Sequence, residues 1–195
     1  MPTSRRSPAR ALEARERLLA ATLRCALRDG GSSVSLQAIA TEAAVSKALV
    51  LYHYRDKEAL LAMTIRWLTD RLVAREVAAL EKSTSSSVLE EYWRWLDGEI
   101  ATGELRVLLE LSQERGEATR IAMVDSAGQR QAAAERTVSL VFTLLDLAPR
   151  LSPAMLASCE LAFREGLVIW SSQRSDRTAR VAFDVFWLSL LSLAR

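Results

Sequence analysis

The chain has 195 residues, half of them hydrophobic, and a formal net charge of only +2. That is enough to bury one core of ordinary size, or a small module joined to a larger one. No segment reads as a secretory leader. The longest apolar run, residues 181–194, is too short for a membrane span and contains Asp184, so a cytoplasmic protein is expected.

Charge is unevenly placed. Residues 1–60 carry ten Lys/Arg against six Asp/Glu, and the remainder carries sixteen against eighteen. A basic first third suits contact with a polyanion. Cys25 and Cys159 have no metal-like or redox-like spacing, so two reduced thiols are expected, with a thiol-based redox sensor as the alternative. His53 is the only histidine, and no nucleophile–base set, phosphate-cradling glycine loop or cluster of metal ligands is present. An enzyme is therefore the least expected class, and no cofactor or metal is called for.

Prolines stand only at positions 2, 8, 149 and 153, and the intervening sequence is rich in Ala, Leu, Glu and Arg. That composition favours helix throughout, and the expected fold class is all-α. The first helix is expected from about Ala11 to Asp29, with Leu12, Leu19, Leu23, Ala26 and Leu27 on one face. Gly30-Gly31 ends it, because glycine tolerates a left-handed cap. Ser35 caps a short second helix, about Leu36 to Ala43, and Ser46 caps a short third one from Lys47 to about Tyr54. Asp56 caps a long fourth helix from Lys57 to about Glu81, followed by the polar loop Lys82-Ser-Thr-Ser-Ser-Ser. Later helices are expected at Val88–Ala101, Glu104–Arg115, Ala118–Leu147 (with a break at Gly128 as an option), Pro153–Gln173 and Arg177–Ala194.

Two eight-residue helices joined by a tight turn need a third to close a core. Ile39, Ala40, Val45 and Val50 have the spacing to pack on the Leu18, Leu19 and Leu23 region of the first helix. This is the inner pattern of a helix-turn-helix, whose second helix enters the major groove of DNA.

The stretch from residue 34 to 61 resembles the DNA-binding segment of the TetR family of regulators. The matching residues are Ser35, then Ile39-Ala40, then Ala43-Ala44-Val45-Ser46, then Val50-Leu51-Tyr52-His53-Tyr54, then Lys57-Glu58-Ala59-Leu60. With the first helix included, the likeness covers about residues 14 to 61. Four positions depart from the family pattern. Ala44 replaces a turn glycine, Ala48-Leu49 replaces Gly-Thr, and Leu51 replaces a tyrosine.

The resemblance implies a dimeric, ligand-responsive regulator, usually a repressor, that binds a palindromic site on double-stranded DNA. It divides the chain into a basic arm (1–10), a helix-turn-helix domain (11–58) and a helical effector-binding and dimerisation domain (59–195). Candidate DNA contacts are Ser35, Gln37, Ser46, Lys47, Ala48, Leu49, Tyr52, His53 and Lys57. Tyr52 and His53 match phosphate-contacting positions. Lys57 opens a helix whose charge and free N–H groups favour a phosphate. Leu49 suits a thymine methyl. Arg5, Arg6 and Arg10 resemble either a minor-groove tail or a solvated end.

Candidates for the effector pocket are Met63, Trp67, Trp93, Leu96, Leu108, Met123, Phe142 and Phe163, with ordinary core as the alternative for each. Few charges lie among them in sequence, which favours an apolar or aromatic effector. The last helix is apolar nearly all round and must bury two sides. Together with the helix before it, it supplies the expected homodimer interface: Leu156, Cys159, Gly166, Leu167, Trp170, Phe183, Phe186, Trp187 and Leu190. The alternative reading is a helical dimeric ligand-binding or protein-interaction module with a degenerate head.

Overall fold

A computed structural model describes residues 8–172 and 178–194. Nine α-helices and one 3-10 turn make up the ordered elements among these residues. They are α1 (Pro8–Asp29), the 3-10 turn Gly31–Ser33, α2 (Leu36–Glu42), α3 (Lys47–His53), α4 (Lys57–Leu80) and α5 (Val88–Thr102). Beyond them come α6 (Glu104–Leu111), α7 (Glu117–Leu144), α8 (Pro153–Ser171) and α9 (Thr178–Leu191). The expected all-α class holds.

Local chemistry sets the helix starts. The Ala38 N–H donates to the Ser35 hydroxyl at 3.1 Å, the Leu49 N–H to Ser46 at 3.2 Å and the Ala59 N–H to Asp56 at 2.8 Å. Each bond satisfies one of the donors a helix start leaves free. Gly30 takes φ 86° after α1, as the cap requires.

The first three helices close on Leu18, Leu19, Leu23, Ile39, Ala40 and Val50, all buried. Two further ties hold this head together. Arg24 and Arg28 meet Glu42 at 2.6 Å and 3.0 Å, binding α1 to α2. The Tyr54 hydroxyl donates to the Arg15 carbonyl at 3.3 Å. The hydrogen bonds from Arg24 and Arg28 hold the Glu42 carboxyl below its ordinary pKa. Stability from that tie is therefore present at neutral pH and lost as pH falls through the lowered value.

Ala44, between α2 and α3, sits at φ 54°. A left-handed residue with a Cβ costs about 1–2 kcal/mol, while glycine gives back about 0.4–1 kcal/mol through unfolded-state entropy. Ala44→Gly is thus expected to stabilise the head by about 0.5–1 kcal/mol, read as a raised urea midpoint at unchanged m.

In the larger body, α4 and α7 run parallel. Their paired residues advance together: Glu58 with Ala118, Thr69 with Ser126 at 2.6 Å and Glu76 with Thr137 at 2.7 Å. The intervening α5 and α6 return the chain. Two carboxylates fasten the head to this body. Glu58 accepts from the Ala118 N–H at 2.6 Å and so caps α7 from a neighbouring helix. Glu110 accepts from the Gly31 N–H at 3.0 Å. Gly116 permits the first contact, since a Cβ there would lie 2.6 Å from Glu58 Cδ.

The expected boundaries need modest correction. α1 begins three residues earlier than its apolar pattern suggests, at Pro8. α6 stops at Leu111, because a turn carries the chain to Gly116 and the separate start of α7. α7 passes unbroken through Gly128, which faces open space. It ends before Asp146, which has φ 54°.

Candidate nucleic-acid interface

α3 presents a clear outer face. Lys47, Ala48, Leu51 and Tyr52 are exposed, and Tyr52 reaches 79% exposure. Val50 is wholly buried and anchors the helix to the head. Tyr52 packs edge-on against the His53 ring at 5.2 Å. Ser46 is exposed at the cap, and Ser35 and Gln37 stand exposed at the start of α2. Lys57 is half-buried at the first position of α4.

Leu49 and His53 are half-buried and share a cleft of about 410 Å³ against Ala14 and Arg17 of α1. Leu49 therefore leans toward α1, and Leu51, another of the four departing positions, occupies the open face instead. Arg5 and Arg6 lie outside the described residues, and Arg10 falls in α1.

A capped, exposed short helix held at a fixed angle by a second one is a unit that fits the major groove. A family model described as "Bacterial regulatory proteins, tetR family" matches residues 18–63. Over residues 18–63 the N-terminal domain is similar to that of the TetR-family regulators. It is a helix-turn-helix DNA-binding domain, and a larger helical domain follows it.

Solved structures match the fold over almost the whole chain. A TetR transcription regulator from Haloarcula marismortui aligns at TM-score 0.75 with 18% identity, covering 94% of this chain and 100% of that one. The regulator FadR from Bacillus subtilis, in complex with stearoyl-CoA, aligns at 0.68 with 12% identity, covering 88% and 96%. SmeT in complex with triclosan aligns at 0.68 with 16% identity, covering 91% of each chain. No curated protein matches the sequence significantly. No helix among the described residues is long and apolar enough to cross a membrane.

The eight effector-pocket candidates do not gather round one cavity. Leu96, Leu108 and Phe142 are core residues, buried to 2% exposure or less. Met63 and Trp67 share a cleft of about 460 Å³ with Leu12, Arg15 and Tyr54, where α1 meets α4. Met123 borders another cleft beside Gly116 and Val124. Trp93 lies against Phe183, and Phe163 stacks on Phe186 at 4.0 Å. Periodicity marks which residues turn inward, and inward positions far outnumber those that line a cavity.

The dimer candidates divide in the same way. Leu156, Leu167, Phe183, Trp187 and Leu190 are buried within their own subunit, and Trp170 and Phe186 are half-buried. Cys159 and Gly166 are exposed on the outer face of α8, together with Met155, Ala162 and Ile169. On α9 the outward residues are Val181, Val185 and Leu188, the last 70% exposed. A helix apolar on two sides gives no sign in sequence of which side its own subunit takes. Cys25 is buried, and burial pushes its thiol pKa up, which makes it a poor nucleophile.

Sequence reasoning also missed a buried ionic cluster in the middle of the body. Arg164 meets Glu76 at 3.0 Å and Glu160 at 3.6 Å, and all three are 2% exposed or less. The Tyr92 hydroxyl donates to Glu160, and the Thr137 hydroxyl donates to Glu76 at 2.7 Å. Arg130 pairs with Glu165 beside them. Burial raises the Glu160 carboxyl pKa. For Arg164, burial acts against the charge, but Glu160, Tyr92 and Glu76 together raise its pKa. One signal was available: Leu156, Glu160, Arg164 and Leu167 share one face of α8 by spacing, so the charges follow the leucines inward.

Proposed function

We propose that this chain is a ligand-responsive transcriptional repressor that binds a palindromic operator as a homodimer and is released by a small effector. The outward face of α3 carries the proposal: Lys47, Ala48, Leu51 and Tyr52 stand exposed on a helix that Val50 and the Ser46 cap lock in place. The functional division falls at the start of α4, with an arm (1–10), a DNA-binding domain (11–58) and an effector and dimerisation domain (59–195). Lys47, Leu51 and Tyr52, with Ser35, Gln37, Ser46, Ala48 and Lys57 around them, form the DNA surface, and the half-buried Leu49 and His53 stand at its edge toward α1. No catalytic step is assigned.

The retained left-handed turn at Ala44 supports a working head rather than a degenerate one, since the geometry survives the loss of glycine. The outward stripes on α8 and α9 support the dimer. The two neighbours with bound stearoyl-CoA and triclosan support an effector with a substantial apolar body. Such a ligand acts by preferring one tilt of α4, which joins the body to the head, and so shifts the population of DNA-binding states.

Fluorescence anisotropy with duplex DNA from upstream of the protein's own gene, run across a salt series, tests the reading. Binding is expected to fall steeply with salt. Lys57→Ala is expected to weaken it for all sequences and to flatten the log–log slope by about one. Unchanged affinity and slope in that variant would place the DNA face elsewhere.

A further inference from the structure

Four side chains form the outer face of α3, and they differ in what they can offer a base pair. Lys47 and Ala48, and one turn later Leu51 and Tyr52, are exposed, while Val50 is wholly buried and turned to the head. Lys47 and Tyr52 carry an ammonium and a hydroxyl, groups that go to phosphate oxygens at least as readily as to bases. Leu51 is 39% exposed and purely apolar. Leu49, the other leucine of this helix, is half-buried in the cleft it shares with Ala14 and Arg17. The leucine that sequence spacing offers to a thymine methyl is thus turned aside, and a second one stands in the open.

Direction matters as much as exposure. Side chains of a helix lean toward its N-terminus, so Leu51 covers the turn that starts at Lys47 and Ala48. That end of a recognition helix is the one that meets base edges. Ala48, three residues earlier on the same face, has no atom beyond its Cβ to stand between Leu51 and a groove floor. A leucine has neither donor nor acceptor. Set against a purine N7, a guanine O6 or a cytosine amine, it strips water from a polar group and offers no hydrogen bond in return, which is unfavourable. Among the groups that base pairs present in the major groove, the 5-methyl of thymine is the apolar one. Contact there buries apolar surface on both partners and leaves no polar group unpaired.

We propose that Leu51 is a specificity-determining residue of α3 and selects a thymine in each half-site through contact with its 5-methyl group. The assignment rests on the DNA-binding reading above, and it names the base chemistry that the head prefers. Lys47 and Tyr52 hold the helix on the backbone, and Leu51 discriminates.

The test uses the full-length protein and the duplex that it enriches from a random-sequence pool. Each thymine of that duplex is replaced in turn by deoxyuridine, which deletes the 5-methyl group and keeps every hydrogen bond of the base pair. Anisotropy titration is expected to find a thymine position in each half-site at which this change weakens binding about three- to five-fold, and about ten- to twenty-fold when both half-sites carry it. Leu51→Ala shortens an exposed side chain and leaves the core of the head intact. It is expected to keep the wild-type melting temperature and to bind the thymine and deoxyuridine duplexes equally. With the wild type, 5-methylcytosine at the sensitive position is expected to bind tighter than cytosine there. A bound duplex with no methyl-sensitive thymine would overturn the proposal and leave the operator reading in place. So would cytosine binding as tightly as 5-methylcytosine, or a sensitivity that survives Leu51→Ala and so belongs to Ala48 or Tyr52. Enrichment of no duplex at all would remove the DNA-binding reading and this assignment with it.

Discussion

Arg164→Met is expected to remove about 3–5 kcal/mol of stability, the usual cost of leaving buried charge without its partner. Arg164 is 1% exposed and, among the described residues, is the one guanidinium that contacts both Glu76 and Glu160. Without it, two carboxylates remain close together in the interior, and one must be protonated or the body must open. Against a typical total of about 5–15 kcal/mol, such a loss brings the protein near the edge of folding. Urea unfolding should show a large drop in the midpoint, and thermal unfolding a fall of about 10 °C. Adding Glu160→Gln should recover part of the loss, because it removes the stranded charge. A cost below about 1 kcal/mol for Arg164→Met would mean that the cluster is solvated.

Leu188→Glu addresses the proposed assembly. Leu188 is 70% exposed on α9, in line with Val181 and Val185, and the outward stripe of α8 adds Met155, Ala162 and Ile169. An apolar surface of this kind marks an interaction site. In a two-fold dimer one substitution places two carboxylates at the interface, each without a partner. Sedimentation is expected to show a monomer. DNA affinity should fall about 10²–10³-fold, because each head then binds its half-site without the effective concentration that linkage supplies. A variant that stays dimeric with unchanged affinity would move the interface to another face.

The head was far more legible in the sequence than the body. Ser35, Ser46 and Asp56 announced three helix starts correctly, because a capping hydroxyl or carboxylate acts on amides only three residues away. Gly30 marked its cap for the same local reason. In the body the deciding interactions lie far apart in sequence. Glu76 meets Arg164 across 88 residues, and Tyr92 meets Glu160 across 68. Nothing near Glu76 in sequence tells that its partner will be there, whereas Glu160 has Arg164 four residues on. The body's buried ions therefore went unanticipated.

The same limit governs the faces of α8 and α9. Phe183 and Leu188 are equally apolar to any sequence measure, yet one is 1% exposed and the other 70%. Which turns inward depends on where α5 and α8 lie, and both Tyr92 and Trp93 of α5 meet Phe183, at 5.8 Å and 5.2 Å between rings. The cap that Glu58 supplies to α7 is likewise invisible locally, since it spans 60 residues.

One consequence of α4 is a matter of leverage. Its 24 residues make an unbroken rod of roughly 36 Å at about 1.5 Å per residue. Pivoting such a rod by about 5° moves its end by about 3 Å, close to the roughly 3.4 Å separation of successive bases along a DNA strand. A half-site moved by one base step no longer meets its groove in register. The mechanical demand on the body is therefore slight: a few degrees at one end is a whole base pair at the other.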